Sequence, residues 1–246
     1  MSRRTRRRVL VVALAAAVGL GAPLWAPPLL ARMDAFRVQT VGVTGVRYCP
    51  PGEIVRRADV AADASVWDDP TRWERRVRGH PLVHDAEVVR AGRHRLEIRV
   101  TEVEPVALAS TPELVPVDRR GRVLPLDPAE SRLDLPILGG PAEVREGRLA
   151  EGPARRLLET LVRLREAEPG FVGQASEFRR LERGGVAVWM TADAAGARRV
   201  LLPADDPVRA LGRVQMALGA HGGEPVAAAD ARFDGQVVLR IGEVDT

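Results

Sequence analysis

The chain has 246 residues, with 37 basic side chains against 33 acidic ones, and it contains one cysteine, Cys49. Five of the basic residues lie within the first eight positions, so the rest of the chain is nearly neutral and does not favour a nucleic-acid-binding surface. A single cysteine excludes an intrachain disulfide, so stability must come from a buried apolar core.

The N-terminal region predicts a membrane anchor. Residues 9–31 carry no charged side chain, and a helix of that length spans roughly 34 Å, which is enough to cross a bilayer. Residues 1–8 form a basic tail, and positive charge on this flank predicts a cytoplasmic N-terminus and an exported remainder. The alternative is a signal peptide cleaved after Gly21, because small residues lie just before Ala22.

The next region predicts the order strand, helix, helix, strand, strand. The first strand covers residues 36–43 with a bulge near Gln39, and a helix follows from the Pro50–Pro51 pair to Ala58. A second helix begins at residues 68–70, with aspartate as its cap, and carries Trp73 and Val77 on one face. Two strands follow, separated by a turn at Gly92, and their alternating apolar residues are Ala86, Val88, Leu96, Ile98 and Val100.

The C-terminal region predicts a β-rich unit with two helices. The first helix covers residues 153–167 and the second begins at Asp206–Pro207. Strands are predicted at residues 178–182, 186–190, 199–202, 229–233 and 237–241. The last of these predicts a sheet edge whose backbone groups are free to pair with another chain.

Motifs for catalysis or cofactor binding do not emerge from the sequence. His80 and His84 have the spacing of two metal ligands on one helix face, but Pro81 breaks such a helix, so we predict no metal site. No nucleophile elbow and no glycine-rich phosphate loop with a following lysine is present. We therefore predict a non-catalytic protein without a cofactor, a small-molecule substrate or a nucleic-acid partner.

Several segments resemble one bacterial family over nearly the whole chain. The segments 36–45, 80–88, 96–102 and 105–107 resemble the polypeptide-transport-associated (POTRA) domain of the FtsQ, or DivIB, family of cell division proteins. Segments 117–123 and 135–139 are similar to the entry into the family's β domain, and segment 230–235 is similar to its final hairpin. The order and spacing of these segments behind one apolar stretch carry the resemblance.

This resemblance implies an α+β architecture with a transmembrane helix at 9–31, a POTRA domain of βααββ type at 36–104 and an FtsQ-type β domain at 105–246. It also implies a bitopic inner-membrane scaffold of the division septum that recruits and binds the small coiled-coil proteins FtsB and FtsL, thereby linking early and late division proteins. The alternative is a secretion or outer-membrane assembly factor that uses a POTRA module.

The terminal hairpin is the predicted partner-binding site. Strand addition along the final strand would supply much of the affinity, and the side chains before it would give selectivity. The residues predicted to contact the partner are Arg232, Phe233, Asp234, Gly235, Val237, Val238, Leu239 and Ile241.

Overall fold

The computed structural model describes residues 27, 29–191, 196–222 and 225–242. These residues form two compact units, divided between Val103 and Glu104. Most of the predicted membrane anchor, together with the basic tail, lies outside the described residues. Within the described part of the chain, none of the helices has both the length and the apolar character needed to cross a bilayer.

The first unit has the predicted order of elements. Two helices lie between the first strand and the second, and the three strands form one sheet in the order β1-β3-β2. Strand β1 runs parallel to β3, and β2 runs antiparallel to it. The elements are β1 (Thr40–Thr44), α1 (Pro51–Ala58), α2 (Thr71–Arg78), β2 (Val83–Arg90) and β3 (Arg95–Glu102).

Both helices of this unit bury one face against the sheet. Trp73 and Val77 on α2 are fully buried, as are Ile54 on α1 and Ile98 on β3. The start of α2 is supported by Asp69, whose carboxylate accepts hydrogen bonds from the Thr71 backbone N–H and hydroxyl group. The cap position itself is occupied by Pro70, so the predicted aspartate cap is wrong by one residue, although Asp69 supports the first turn.

The predicted first strand is wrong at its beginning. A 3-10 turn occupies Asp34–Phe36, and β1 starts only at Thr40. Phe36 and Val38 exchange backbone hydrogen bonds with Val66 and Ala64 instead of pairing with β3. Because Phe36 also packs edge-on against Trp67, its apolar side chain is placed by the loop before α2 and not by the sheet.

The Glu102 side chain at the end of β3 closes the loop before α1. Its Oε2 accepts from the backbone N–H groups of Arg47 and Tyr48, both at 2.9 Å, and its Oε1 accepts from Cys49 N–H at 2.8 Å. Three donors that would otherwise lack a protein partner therefore converge on one carboxylate.

The second unit is built on an eight-stranded mixed sheet. The strand order is β13-β12-β11-β10-β9-β6-β4-β5, and β7 and β8 form a separate ribbon. The strands are β4 (Pro105–Ser110), β5 (Leu114–Asp118), β6 (Ile137–Pro141), β7 (Val144–Arg145), β8 (Arg148–Leu149), β9 (Ala175–Arg180), β10 (Val186–Met190), β11 (Ala197–Leu202), β12 (Val226–Asp230) and β13 (Val238–Ile241).

Helices α3 (Pro153–Ala167), α4 (Pro169–Val172) and α5 (Pro207–Ala220) pack against this sheet. The leucines of α3 at 157, 158, 161 and 164 are all buried in one cluster with Phe178, Val188 and the buried residues of α5. The prediction of two helices omitted α4, because its four residues are too few to show a helical period. The two longer helices begin where the sequence predicts.

The last hairpin differs from the prediction in its boundaries. Strand β12 ends at Asp230 and β13 begins at Val238, so Arg232, Phe233, Asp234, Gly235 and Val237 lie in the connection between the strands. The Asp230 carboxylate accepts the Arg232 backbone N–H at 3.1 Å, which turns the chain two residues after the carboxylate and ends the strand there.

Candidate partner-binding edge

Strand β13 lies at one end of the eight-stranded sheet. It pairs antiparallel with β12, and in the described part of the chain no further strand pairs with its other side. The strand has four residues, and such short edge strands are common because they limit unwanted pairing with the strands of other chains.

The register shows which backbone groups of β13 face outward. Ala231 N–H donates to Leu201 on β11, so Ala228 and Asp230 present their backbone groups to β13 by strand alternation. Their partners, Arg240 and Val238, therefore point their N–H groups inward.

It follows that Leu239 and Ile241 point their backbone groups away from the sheet. The Gly242 N–H, which donates inward to Pro225 O at 3.4 Å, agrees with this assignment.

The side chains of the last strand divide between core and solvent. Val237 and Leu239 pack partly against the main core cluster. Val238 and Ile241 are 51% and 56% exposed, which leaves two large apolar side chains in water beside the free backbone edge. Because side chains alternate along a strand, Val238 and Ile241 lie on opposite faces of β13, so an added segment would meet one apolar side chain on each face.

Arg232 lies at the start of the connection between β12 and β13, and its side chain is bound by Asp230. Its Nε donates to Asp230 Oδ1 at 2.9 Å and its Nη2 donates to Oδ2 at 2.6 Å, which is a bidentate pair. The Arg232 guanidinium lowers the pKa of the Asp230 carboxyl below its usual range through these bonds, and the pKa of Arg232 rises in return.

Phe233 follows Arg232 and has no place in the core. It is 51% exposed, and the turn after it is closed at Gly235, whose φ is +69°. The structure therefore brings Arg232, Phe233 and the free edge of β13 to the same hairpin. Asp230 was not identified from the sequence as the residue that orients Arg232. The spacing of an aspartate two positions before an arginine could have indicated this pair.

A second group that the sequence did not reveal is the cluster of Cys49, Glu53 and His80 in the first unit. The donor atoms of the three side chains all lie within 4.8 Å of one another. His80 Nε2 is 3.1 Å from Glu53 Oε1 and 3.9 Å from Cys49 Sγ, and both Cys49 and His80 are buried. His84, whose spacing from His80 the sequence analysis considered and rejected as a metal-binding pattern, is exposed on β2.

The hydrogen bonds of His80 favour a structural role for this cluster over a metal site. Leu82 N–H donates to His80 Nδ1 at 3.2 Å, so a neutral imidazole carries its proton on Nε2 and donates it to Glu53. A metal bound to Nε2 would place the ring proton on Nδ1, where it would face the Leu82 N–H, so that two donors would oppose each other. Metal-bound histidines usually donate that proton to an acceptor.

The Cys49 thiol is held in its neutral form. Burial raises the pKa of Cys49, and the negative charges of Glu53 and Glu102 raise it further. A neutral buried thiol is a poor nucleophile, so this cysteine fits packing better than chemistry.

The two units together define a class of protein, namely a βααββ module followed by a β-rich unit with a free strand at its edge. A family model described as "POTRA domain, FtsQ-type" matches residues 36–102.

Curated relatives extend this match beyond the first unit. The chain is 32% identical to the "Cell division protein FtsQ" of Rhodothermus marinus over 223 residues, which are 85% of this chain and 79% of that protein. It is also 32% identical to the protein of the same name from Myxococcus fulvus over 197 residues, which are 76% of this chain and 66% of that relative. The chain therefore belongs to the FtsQ family of cell division proteins, as the resemblance predicted.

Proposed function

We propose that this protein is a non-catalytic, single-pass membrane scaffold of the division septum that binds FtsB-like and FtsL-like coiled-coil proteins by strand addition to β13. Family membership supports a role in cell division. The uncharged stretch at 9–31 behind the basic tail supports a membrane anchor with the two folded units on the extracytoplasmic side.

The observation that carries the binding mode is the outward-facing backbone of Leu239 and Ile241. Backbone groups at a sheet edge pair with an added strand whatever its sequence, so they supply affinity. The exposed side chains of Val238 and Ile241 lie on opposite faces of the strand and favour a partner segment with an apolar residue on each face.

Selectivity in this proposal comes from the hairpin connection. Phe233 offers a large exposed ring of the kind that dominates interface energies, and Arg232 offers a charge already oriented by Asp230. An arginine that is held before binding loses less side-chain entropy when the partner arrives. Asp234, Gly235 and Val237 complete the proposed contact surface.

The test distinguishes the contribution of the backbone N–H to binding from that of the side chain at Ile241. Ile241→Pro removes the outward N–H while leaving the inward ladder bonds of Val238 and Arg240, and Ile241→Ala removes the side chain but keeps the N–H. Each full-length variant is used to recover partners from solubilised membranes of its own organism.

We expect Ile241→Pro to lose FtsB-like and FtsL-like proteins and Ile241→Ala to retain part of the binding. Equal recovery by a folded Ile241→Pro variant would contradict strand addition. Recovery of outer-membrane assembly components instead would favour the alternative function, although no structural observation singles it out.

A further inference from the structure

A second candidate surface lies in the C-terminal unit, at a groove of about 260 Å³ between α3 and the β9–β10 hairpin. Its floor is apolar and includes the buried Leu157 and Val186 together with Pro203. Three arginines line it, namely Arg156 and Arg163 from α3 and Arg180 from the end of β9.

The three arginines at the groove differ from Arg155 and Arg165, the other two arginines of α3. Arg155 pairs with Glu159, and Arg165 pairs with Glu104. By contrast, the guanidinium groups of Arg156, Arg163 and Arg180 have no hydrogen bond or ion pair with any residue that the structure describes. The arginines of α3 outside the groove are thus paired, whereas those at the groove have no partner among the described residues.

The local backbone adds to the positive character of the groove. Pro153, the first residue of the 15-residue helix α3, also lines it, so the positive end of that helix lies at the groove. The only carboxylate among the lining residues, that of Glu159, is already engaged by Arg155.

The hairpin wall is shaped by two consecutive glycines. Gly184 and Gly185 have φ values of +84° and +86°, and a Cβ on Gly185 would collide with the carbonyl oxygen of Leu202. The close approach that only glycine permits brings the hairpin against the end of β11 and forms one side of the groove.

From this arrangement we propose that the groove binds an acidic, amphipathic segment of a partner protein. Arg156 and Arg163 are two helical turns apart, about 10 Å along the axis, which matches carboxylates on one face of a helical segment. The apolar floor would accept the aliphatic residues between those carboxylates. A concave site with an apolar floor suits such a segment better than a flat anionic membrane surface.

This inference does not rest on strand addition at β13, because the groove is lined by α3 and the β9–β10 hairpin. The two sites therefore make separate predictions, and failure of one leaves the other standing.

The experiment measures binding of a fluorescein-labelled amphipathic peptide, with glutamates seven positions apart and leucines between them, to the full chain in detergent. The test variant is Arg156→Gln/Arg163→Gln/Arg180→Gln. The control is Arg132→Gln/Arg148→Gln/Arg209→Gln, which removes the same charge from exposed arginines that also lack a side-chain partner in the described residues.

We expect the test variant to lose affinity by about tenfold or more and the control to change by less than about twofold, with weaker binding at higher salt. The Ile241→Pro variant should bind the peptide as well as the wild type does. Equal losses in test and control, or no binding by the wild type, would overturn the proposal.

Two further probes are run alongside, namely purified peptidoglycan and vesicles containing about one-third anionic lipid. Binding of either one through the three arginines, without binding of the acidic peptide, would also overturn the assignment to a protein segment.

Discussion

The Asp230 carboxylate accepts two hydrogen bonds from the Arg232 guanidinium and a third from the Arg232 backbone N–H. One side chain thus ends β12, turns the chain and fixes the direction of the arginine that follows. The Asp230 and Arg232 side chains are 16% and 32% exposed, so the pair is partly shielded from solvent.

We predict that Asp230→Asn weakens partner binding mainly through Arg232. The variant should bind several-fold less tightly in the wild-type background and show little further loss when combined with Arg232→Ala. Binding affinities of the two single variants and the double variant give the coupling. Fully additive losses would show that Asp230 does not act through Arg232.

The same pair predicts a dependence of stability on acid. Because the pKa of Asp230 is lowered in the folded chain, its contribution is complete above the ordinary aspartate pKa of about 4 and is lost as the pH falls through the folded value. Denaturant unfolding of wild type and Asp230→Asn should differ by about 0.5 to 1.5 kcal/mol at neutral pH and converge in acid. A constant difference down to low pH would argue against this linkage.

Phe233→Ala is predicted to weaken partner binding by more than about 1 kcal/mol and to leave the fold intact. The ring is half exposed, so little core packing is lost. Met216→Ala is a suitable control, since Met216 is a large apolar residue that is 71% exposed on α5, outside the hairpin. Similar effects of both changes would indicate a general loss of surface apolarity.

Glu102→Gln is predicted to destabilise the first unit by about 1 to 3 kcal/mol. The substitution replaces the charged acceptor of three backbone N–H groups by a neutral amide, and the amide NH₂ cannot accept a hydrogen bond from the N–H group that it faces. Glu87→Gln serves as the control, since among the described residues the Glu87 carboxylate has a single ion pair, an exposed contact of 3.6 Å to Arg99. This substitution should change stability by less than about 0.5 kcal/mol. Thermal or denaturant unfolding of both variants checks the difference.

Cys49 is predicted to resist alkylation in the folded protein at neutral pH, since its pKa is raised by burial and by two nearby carboxylates. The folded chain holds the thiol proton more tightly than the unfolded chain. Its stability is therefore complete below the unfolded thiol pKa of about 8.5 and declines as the pH rises towards the folded value.

The Cys49→Ser variant should lack this part of the alkaline decline. Rapid reaction of folded wild type with iodoacetamide at neutral pH would contradict the proposed environment.

The sequence predicted those elements whose cause is local. Helix α3 begins at a proline and repeats leucines at helical spacing, and α5 begins after Asp206, whose carboxylate accepts the Arg209 N–H. The alternating residues of β2 and β3 likewise identified both strands, because one face of each is buried.

Features that depend on distant residues could not be predicted in this way. His80 meets Cys49 and Glu53 across about 30 positions, and only the packing of α1 against the segment after α2 brings them together. Arg156 and Arg180 read as ordinary surface charges until the groove between their elements is known. The sequence places Phe233 at the end of a predicted strand over residues 229–233, whereas the Asp230 hydrogen bond ends that strand earlier.

The parallel pairing of β11 with β12 has a consequence for assembly. Two parallel neighbours need a crossover connection, which α5 provides between β11 and β12. In the described part of the chain β13 pairs with β12 alone, so its free edge exists only where that crossover is in place. If β13 is the partner-binding edge that we propose, a chain in which α5 has not packed on the sheet would lack that edge.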